Sequence, residues 1–177
     1  KEAGISVKTI DEITRACVEM SKVKTGALIV IEQEESLAEY TRTGIDIDAV
    51  VSSQLLINIF EHNTPLHDGA VVVRGDRVVS ATCILPVTDQ TTLNKSMGTR
   101  HRAGVGISEV TDSLTVIVSE ETGKISVAYE GTLKRNLDAD SLRAYLQQTL
   151  NKDVEESKPK LKWKGRNKTK NEEKVAK

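Results

Sequence analysis

The sequence predicts an α/β fold in which helices cover both faces of a mixed central β-sheet. Segments of helical periodicity alternate along the chain with short apolar segments, a pattern typical of layered folds. The central apolar segments are almost continuously hydrophobic, as strands are when both faces of a sheet are covered. The chain has 177 residues, of which 38% are hydrophobic, and this is enough for one core rather than two.

The first part of the chain predicts two helices and a strand. Residues 7–22 place apolar side chains three and four positions apart, which predicts an amphipathic helix. Residues 24–31 are expected to form a buried strand. Ser52 or Ser53 is expected to cap a second helix over residues 54–62, which the following Asn-Thr-Pro sequence ends.

The second part predicts two pairs of strands and two helices. Residues 70–74 and 77–85 are apolar strands, and the Gly-Asp pair between them is typical of a two-residue hairpin turn. Thr99 is expected to be the N-cap of a short helix. The remaining expected elements are strands at 113–119 and 124–131 around the turn EETG, and a final helix over 142–150 capped by Asp138 or Asp140.

Charge divides the chain into an acidic body and a basic tail. Residues 152–177 hold ten basic and five acidic side chains, whereas the rest of the chain holds fifteen basic and twenty-one acidic ones. The tail lacks apolar periodicity, so we expect it to be disordered; the alternative is an electrostatic tether to anionic lipid or nucleic acid. Residues 1–151 are then the folded domain, with residues 1–23 as its amino-terminal helix. The acidic body argues against nucleic acid as a partner.

Cysteine usage and hydropathy indicate the compartment. Cys17 and Cys83 each lie among apolar neighbours, so we expect buried free thiols in a reducing, cytosolic compartment. The longest apolar run, residues 27–31, is far shorter than the roughly 20 residues of a membrane helix, which predicts a soluble chain. The chain begins with Lys1 rather than Met, so we expect that an upstream part is missing.

The first segment that could carry chemistry is Leu66-His67-Asp68-Gly69-Ala70, on a loop that enters a buried strand. An Asp-Gly pair usually marks a turn. The following hairpin has a turn of its own, however. A carboxylate beside a residue without a side chain therefore also suits a metal, or a sugar hydroxyl that approaches along the backbone.

The second segment is Gly98-Thr99-Arg100-His101-Arg102, at the expected start of a helix. Free backbone N–H groups and the helix dipole favour an anion at this position. The planar guanidinium of arginine binds phosphate oxygens in pairs. Because the dipole disfavours cations at a helix start, the two arginines favour phosphate binding; the alternative is a solvated first turn.

The third segment is Ser119-Glu120-Glu121-Thr122-Gly123, at the end of an apolar strand. It suits a plain turn between two strands. Alternatively, one of the two glutamates completes a site for a divalent metal with oxygen ligands.

Together these segments resemble the diadenylate cyclases. His-Asp-Gly-Ala at residues 67–70 and Gly-Thr-Arg-His-Arg at residues 98–102 are similar to the DGA and RHR motifs of that family. The surrounding blocks NTPLHDGAVVV and GTRHRAGVGISEVTDSLTVIVSEETG agree with it in order and spacing. The resemblance covers roughly residues 24–130 and is strongest to the membrane-anchored branch of the family.

The resemblance implies an ATP site with a divalent metal, Mg²⁺ or Mn²⁺. Asp68 would position the metal and the attacking 3′-hydroxyl, and Gly69 would let the nucleotide lie against the backbone. His67 and Glu121 are implied as further metal ligands. Ile84 stands where family members often carry an aromatic residue, so weaker stacking on adenine is expected. The other implied ATP contacts are Ala70, Leu85, Gly98, Thr99, Arg100, His101, Arg102, Ser119 and Glu120, and the arginines and histidine among them are also implied to be catalytic together with Asp68 and Gly69.

The resemblance also implies the reaction and the partners. Two ATP molecules would be condensed into cyclic di-AMP, with release of two pyrophosphates, at a face-to-face homodimer interface. A regulatory protein is a further implied partner, and nucleic acid is not. Transmembrane helices would precede the domain in the full-length protein and hold it at the cytosolic face of the membrane.

Two functions of other classes stay open at this point. One is a catalytically silent regulatory module that binds ATP without forming product, against which the intact Asp68 argues. The other is an adaptor domain whose motifs are turns and a solvated helix end. The cations at the expected helix start argue against that second alternative.

Overall fold

The computed structural model of the chain describes residues 4–93 and 97–151. Within these residues the helices are α1 (Val7–Lys22), α2 (Ala38–Thr41), α3 (Ser53–Phe60), α4 (Thr99–Val110) and α5 (Ala139–Leu150). The strands are β1 (Ala27–Ile31), β2 (Ile45–Val50), β3 (Ala70–Arg74), β4 (Arg77–Cys83), β5 (Leu114–Val118), β6 (Ile125–Tyr129) and β7 (Thr132–Leu137).

These strands form one sheet in the order β2-β4-β3-β1-β5-β6-β7. β1 and β3 are parallel, whereas the other neighbouring pairs are antiparallel, which confirms the predicted mixed sheet. With these directions, β1 and β3 begin at the end of the sheet where β4 and β5 finish. We call this the lower end; Ala27, Ala70, Cys83 and Val118 mark it. The upper end is the opposite one.

Helices cover both faces of the sheet, as predicted. β1 is buried along its whole length, and its side chains alternate between two hydrophobic cores. Ile29 belongs to the core shared with α1, α3 and α5, and Val30 belongs to the core shared with α4. Full burial of each such side chain stabilises the fold by about 1.5–3 kcal/mol, so the two cores hold the sheet firmly between its helices.

Side-chain caps define where α3 and α5 begin. Ser52 Oγ accepts a hydrogen bond from the Leu55 N–H at 3.1 Å at the start of α3. Asp138 Oδ1 accepts one from the Ser141 N–H at 2.8 Å at the start of α5. The caps are therefore Ser52 rather than Ser53, and Asp138 rather than Asp140.

The prediction that Thr99 caps α4 is wrong. Gly98 is the N-cap, with an extended backbone (φ −73°, ψ 179°), and no side chain of the described residues caps the helix. Thr99 is the exposed first residue of α4. The N–H groups of the first turn have no acceptor within the helix and so favour an acceptor from outside it.

The structure contains three elements that the sequence analysis did not predict. α2 is a single turn, too short to show helical periodicity. β2 has Ile45, Ile47 and Ala49 at alternate positions, a weak signal for a mostly exposed outer strand. β7 is rich in charge, and only the turn before it is informative: Glu130 and Gly131 have φ values of 50° and 75°, as a type I′ hairpin turn requires.

The two outer strands of the described sheet are both irregular. The register of β2 against β4 shifts between Asp46 and Ala49, and Asp48 in this bulge has a φ of 48°. The register of β7 against β6 shifts as well, where Asn136 has a φ of 59°. Such bulges bend and twist an edge strand locally.

α4 packs closely against its neighbours on two sides. An ideal Cβ on Gly104 would lie 2.7 Å from Ile117 Cδ1 in β5. One on Gly106 would lie only 2.0 Å from the carbonyl oxygen of Pro86, in the segment that follows β4. α4 is therefore wedged between the sheet and that segment, and this fixes the position of its first turn.

Both cysteines are buried free thiols, as predicted. Burial raises the pKa of Cys17 to about 12, so this thiol stays protonated at neutral pH. None of the helices in residues 4–93 and 97–151 has the length and the apolar character needed to cross a bilayer. The predicted disordered tail, residues 152–177, lies outside the described residues.

Candidate functional site

The three segments singled out in the sequence meet at the lower end of the sheet. Residues 67–69 lead directly into β3, and residues 119–121 directly follow β5. The first turn of α4 reaches the same end, because Arg100 Nη1 lies 3.1 Å from Glu120 Oε1. Strand directions and the packing of α4 thus bring segments that are far apart in sequence to the same end of the sheet.

Asp68 is exposed at this end and makes no hydrogen bond or ion pair with the described residues. Its carboxylate is therefore available to a ligand. Gly69 has a φ of +92°, and a Cβ there would lie 2.9 Å from the carbonyl carbon of Thr82 in β4. Glycine is required at this position by the fold itself. Ala70 is fully buried in the core, which leaves only its backbone to face a ligand.

His67 precedes this carboxylate and has a defined tautomer. Its Nδ1 lies 2.6 Å from the carbonyl oxygen of Thr64, which can only accept, so Nδ1 carries the hydrogen. In the neutral ring, Nε2 is then unprotonated and able to accept a hydrogen bond or to bind a metal. The ring of His62 packs edge-on against it, with 5.7 Å between the centroids.

The first turn of α4 supplies hydrogen-bond donors. The first bond of the helix runs from the Arg102 N–H to the Gly98 carbonyl at 3.3 Å, so the N–H groups of Thr99, Arg100 and His101 precede the helical ladder. These groups and the positive end of the helix dipole favour a bound anion. Two arginine side chains on the same turn add full positive charges.

Arg100 is held by both neighbouring strands at the centre of the sheet. Its guanidinium pairs with Glu120, which follows β5, and lies against Gly26, which precedes β1. The side chain of Arg100 is 24% exposed and that of Glu120 is 60% exposed, so the pair lies at the surface of the site. An arriving phosphate could exchange with the Glu120 carboxylate on the same guanidinium.

The neighbourhood of His101 is positively charged. Burial lowers the pKa of His101, and the charges of Arg135 and Arg100 lower it further, while Glu121 acts in the opposite direction. The ring is thus neutral at pH 7 in the absence of a ligand. An anion bound here would favour its protonated form.

Ser119 organises the turn between β5 and β6. Its Oγ accepts hydrogen bonds from the N–H groups of Glu121 and Thr122, each at 3.2 Å, and its carbonyl oxygen accepts from the Gly123 N–H at 2.9 Å. The segment is therefore a turn, as one of the two sequence interpretations held. Both glutamates in it are exposed, and this leaves Glu121 able to meet a ligand.

The segment after β4 forms another part of this end. Ile84 is 70% exposed, and its N–H donates to Thr43 Oγ1 at 2.8 Å. Leu85 is buried in the core with its side chain turned away from solvent. Of Ile84 and Leu85, both implied as ATP contacts, Ile84 alone presents a side chain to a ligand.

The implied metal ligands His67, Asp68 and Glu121 do not form a closed metal centre. The described residues contain no group of three His, Cys, Asp or Glu side chains arranged to hold an ion. The oxygen donors of Asp68 and Glu121 nevertheless suit a Mg²⁺-like ion, which proteins commonly bind through one or two carboxylates together with substrate phosphates.

The upper end of the sheet has a cavity of different character. This cavity, of about 650 Å³, lies at the end of α4, beside the β6–β7 turn. Its lining includes the carboxylates of Glu35, Glu109, Asp112 and Glu130. Four carboxylates repel a polyphosphate, and the negative end of the α4 dipole adds to this. The upper-end cavity is therefore unsuited to a phosphate ligand.

Sequence reasoning missed Gly26, Thr43 and Arg135 at this site. Gly26 and Thr43 lie in short loops before β1 and β2, where a single glycine or threonine has no distinctive pattern. Arg135 lies on β7, a strand that the sequence did not predict. All three reach the site through strand pairing, which is not visible in local sequence.

Comparison with known proteins identifies the family. The family model described as DAC, the DisA bacterial checkpoint controller nucleotide-binding family, matches residues 14–133. The match includes all three segments that meet at the lower end.

Two curated relatives are similar over most of this chain. The cyclic di-AMP synthase CdaA of Bacillus subtilis is 49% identical over 160 residues, which cover 90% of this chain and 59% of that protein. A diadenylate cyclase of Listeria monocytogenes is 48% identical over 158 residues, which cover 88% of this chain and 58% of that protein. The chain thus spans somewhat less than two thirds of the length of these relatives.

A solved structure supports the same assignment. A crystal structure of DacA from Staphylococcus aureus, a double cysteine mutant, superimposes with a TM-score of 0.79 at 46% sequence identity. The alignment covers 81% of this chain and 95% of that one. The mixed sheet, the motif-bearing lower end and these identities agree with the resemblance seen in the sequence, and the chain belongs to the diadenylate cyclase (DAC) family.

Proposed function

We propose that this chain is a diadenylate cyclase, which condenses two ATP molecules into cyclic di-AMP and releases two pyrophosphates. The observation that carries the proposal is the convergence of Asp68, the first turn of α4 and the β5–β6 turn at one end of the sheet. They supply a carboxylate for a sugar hydroxyl and an anion site for phosphates. The names of the similar proteins agree with this activity.

The phosphate groups are bound by the start of α4. Its free N–H groups and the guanidinium groups of Arg100 and Arg102 donate hydrogen bonds to phosphate oxygens. These donors are fixed before the substrate arrives, because α4 is wedged against the sheet. They stabilise the charge that develops on the phosphate oxygens during the reaction.

The reaction is an in-line displacement at phosphorus. The 3′-hydroxyl oxygen of one ATP forms a bond to the α-phosphorus of the other, and the bond from that phosphorus to the bridging oxygen of pyrophosphate breaks. Pyrophosphate leaves with the bonding electrons, the proton of the hydroxyl is released, and the same step in the opposite direction closes the ring. Asp68 accepts a hydrogen bond from the attacking hydroxyl and orients it. The rate enhancement comes from positioning the two ATP molecules and from stabilising charge on the phosphate oxygens, and no covalent intermediate forms on the protein.

The cofactor of this reaction is a divalent ion, Mg²⁺ or Mn²⁺. Asp68, with His67 Nε2 and Glu121, would hold it in company with phosphate oxygens. When bound, it neutralises phosphate charge and so lowers the barrier by several kcal/mol. Ligation by the substrate itself is consistent with the open arrangement of these three side chains.

The active form is a face-to-face homodimer. The product has two-fold symmetry, and its two bonds form in equivalent steps, so two identical subunits that each hold one ATP meet the requirement. The exposed position of Asp68 agrees with this, because the carboxylate can reach a nucleotide on a facing subunit. Specific activity should then rise with protein concentration, and activity that is independent of dilution would contradict the dimer.

The full-length protein lies at the cytosolic face of the membrane and is anchored by a segment that precedes this domain. This part of the proposal rests on the family resemblance. A regulatory protein that acts on the domain is proposed on the same basis.

The test is incubation of the purified chain with ATP and Mn²⁺, followed by mass detection of cyclic di-AMP. Asp68→Asn should abolish product while the fold and its thermal stability persist. Asp89→Asn is the matched control, because Asp89 is also exposed and makes no hydrogen bond or ion pair with the described residues. Product formation by Asp68→Asn at the wild-type rate would remove Asp68 from the mechanism.

A wild-type chain that binds ATP but forms no product at any protein concentration would overturn the cyclase proposal. That outcome would favour the silent regulatory module. Thermal stabilisation by ATP separates it from an adaptor domain, because a ligand raises stability by mass action only if it binds.

A further inference from the structure

We infer that Gly26 is a positioning residue that sets the place of the Arg100 guanidinium in the site. An ideal Cβ on Gly26 would lie 2.7 Å from Arg100 Cζ, 2.9 Å from Nη1 and 3.0 Å from Nε. Three atoms of the guanidinium plane are thus almost equally close to one point. The guanidinium therefore packs with its flat face against Gly26.

Among the described residues, the closest approach to Gly26 comes from Arg100 rather than from the backbone. Gly26 does not have the positive φ that side chains avoid, unlike Gly69, so alanine fits its backbone conformation. The three nearest atoms to its ideal Cβ all belong to the end of the Arg100 side chain. A methyl group here meets a flexible side chain rather than backbone, so the fold can accept it while the guanidinium must move.

Gly26 and Glu120, which both contact the Arg100 guanidinium, lie next to the ends of two adjacent strands. Gly26 immediately precedes β1 and Glu120 closely follows β5, and these strands pair with Ala27 opposite Val118. Both strands are buried along their whole length. The guanidinium is thus located by two rigid elements, from below by Gly26 and from the side by the carboxylate of Glu120 at 3.1 Å.

A methyl group on Gly26 would displace the guanidinium by about 1 Å, because ordinary contacts between carbon atoms are about 3.5–4.0 Å long. A displacement of this size in a group that positions a reacting phosphate costs up to about 100-fold in rate. This expectation rests on the proposed function, in which Arg100 binds phosphate. We expect Gly26→Ala to lose about 10- to 100-fold in cyclic di-AMP formation, with a melting temperature close to that of the wild type.

A double-mutant cycle distinguishes positioning from a general structural effect. Gly26→Ala, Arg100→Ala and the double variant are compared for product formation and for ATP affinity measured by calorimetry. If Gly26 acts through Arg100, the methyl group has no further effect once the guanidinium is absent. An equal loss in both backgrounds, or wild-type behaviour of Gly26→Ala, would overturn the inference. Gly4→Ala is the control, because a Cβ on Gly4 meets nothing within 4 Å.

A measurement independent of turnover keeps this inference separate from the cyclase proposal. The Nε–H resonance of Arg100, assigned by its loss in Arg100→Lys, should shift in Gly26→Ala and stay unchanged in Gly4→Ala. If the wild type makes no cyclic di-AMP, the proposed function fails while this resonance still tests the position of Arg100. An unchanged Arg100 resonance in Gly26→Ala would show that Gly26 does not position the side chain.

Discussion

Glu12 of α1 caps the start of α3: its Oε2 accepts a hydrogen bond from the Ser53 N–H at 2.7 Å. Ser53 is the first residue of α3, and its N–H has no acceptor within that helix. The carboxylate thus satisfies a buried donor on a neighbouring helix. It also complements the positive end of the α3 dipole.

This contact makes stability depend on the ionisation of Glu12. The hydrogen bond from Ser53 holds the pKa of Glu12 below its usual value of 4.5, although burial acts in the opposite direction. The contribution is fully present above the unfolded-state pKa and is lost as pH falls through the lower folded-state pKa. We expect Glu12→Gln to cost about 1 kcal/mol at pH 7, because a neutral amide accepts a weaker hydrogen bond.

Urea unfolding at several pH values measures this difference. It should shrink below about pH 4.5, where the Glu12 carboxylate of the unfolded chain becomes protonated while that of the folded chain is still ionised. Glu19→Gln on the same helix is the control, since its pair with Lys22 is exposed and contributes little. A cost of Glu12→Gln that is constant down to pH 3 would contradict the role of charge.

Two glycines of α4 should differ sharply in their tolerance of alanine. Alanine is the better helix former by about 1 kcal/mol, so propensity alone predicts that both substitutions stabilise. At Gly106 the methyl group would meet the Pro86 carbonyl, which is backbone, whereas at Gly104 it would meet the end of the Ile117 side chain. We expect a loss of about 3 kcal/mol for Gly106→Ala and a smaller one for Gly104→Ala. Thermal unfolding tests this order, and equal stability of the two variants would contradict the close packing.

Arg100→Ala should chiefly weaken ATP binding. A hydrogen bond to a charged group contributes about 1.5–3 kcal/mol, which corresponds to a 10- to 150-fold loss of affinity. Stability should change little, because the partner Glu120 is exposed and becomes solvated. Calorimetric titration with ATP measures the affinity. Arg77→Ala, at the upper end of the sheet, is the control and should bind ATP like the wild type.

His101 should make the chain less stable under mildly acidic conditions. Burial, followed by the charges of Arg135 and Arg100, lowers its pKa in the folded state below the usual 6.5, against the effect of Glu121. The unfolded chain therefore binds more protons between these two values, and stability rises with pH across that interval. Carboxylates such as Glu12 stay ionised there and do not contribute to the slope.

Melting temperatures between about pH 5.5 and 7.5 measure this dependence. The rise should be smaller in His101→Gln than in the wild type. His62→Gln, a change at another histidine that is exposed, is the control. Equal slopes in the wild type and in His101→Gln would contradict the lowered pKa.

The sequence predicts most of the fold because its main signals are local. The apolar runs of β1 and β5, the amphipathic pattern of α1 and the Gly-Asp turn between β3 and β4 depend on neighbouring residues only. β7 escapes prediction because Lys134, Arg135 and Asn136 show no alternation, and its pairing is determined by the hairpin turn before it.

For a related reason, the sequence predicts only part of the candidate site. Asp68 and Arg100 stand in motifs, so their residue types can be recognised without a structure. Their proximity depends on the order and directions of the strands, which no local pattern encodes. Gly26 is an example, because the need for glycine at this position arises from the side chain of Arg100, 74 positions away in the sequence.

The bulged outer strands of the sheet have a consequence for how copies of this chain can meet. An outer strand with free backbone groups invites another molecule to continue the sheet, and this is a common route to fibres. In β2 and β7 the register shifts at Asp48 and Asn136 break the regular spacing of these groups, and charged side chains such as Lys134 and Arg135 flank them. A second copy that docks on the described surface gains little from strand addition and must rely on the ends of the sheet or on its helices. Copies of this domain can therefore reach a high local concentration without polymerising through these two strands.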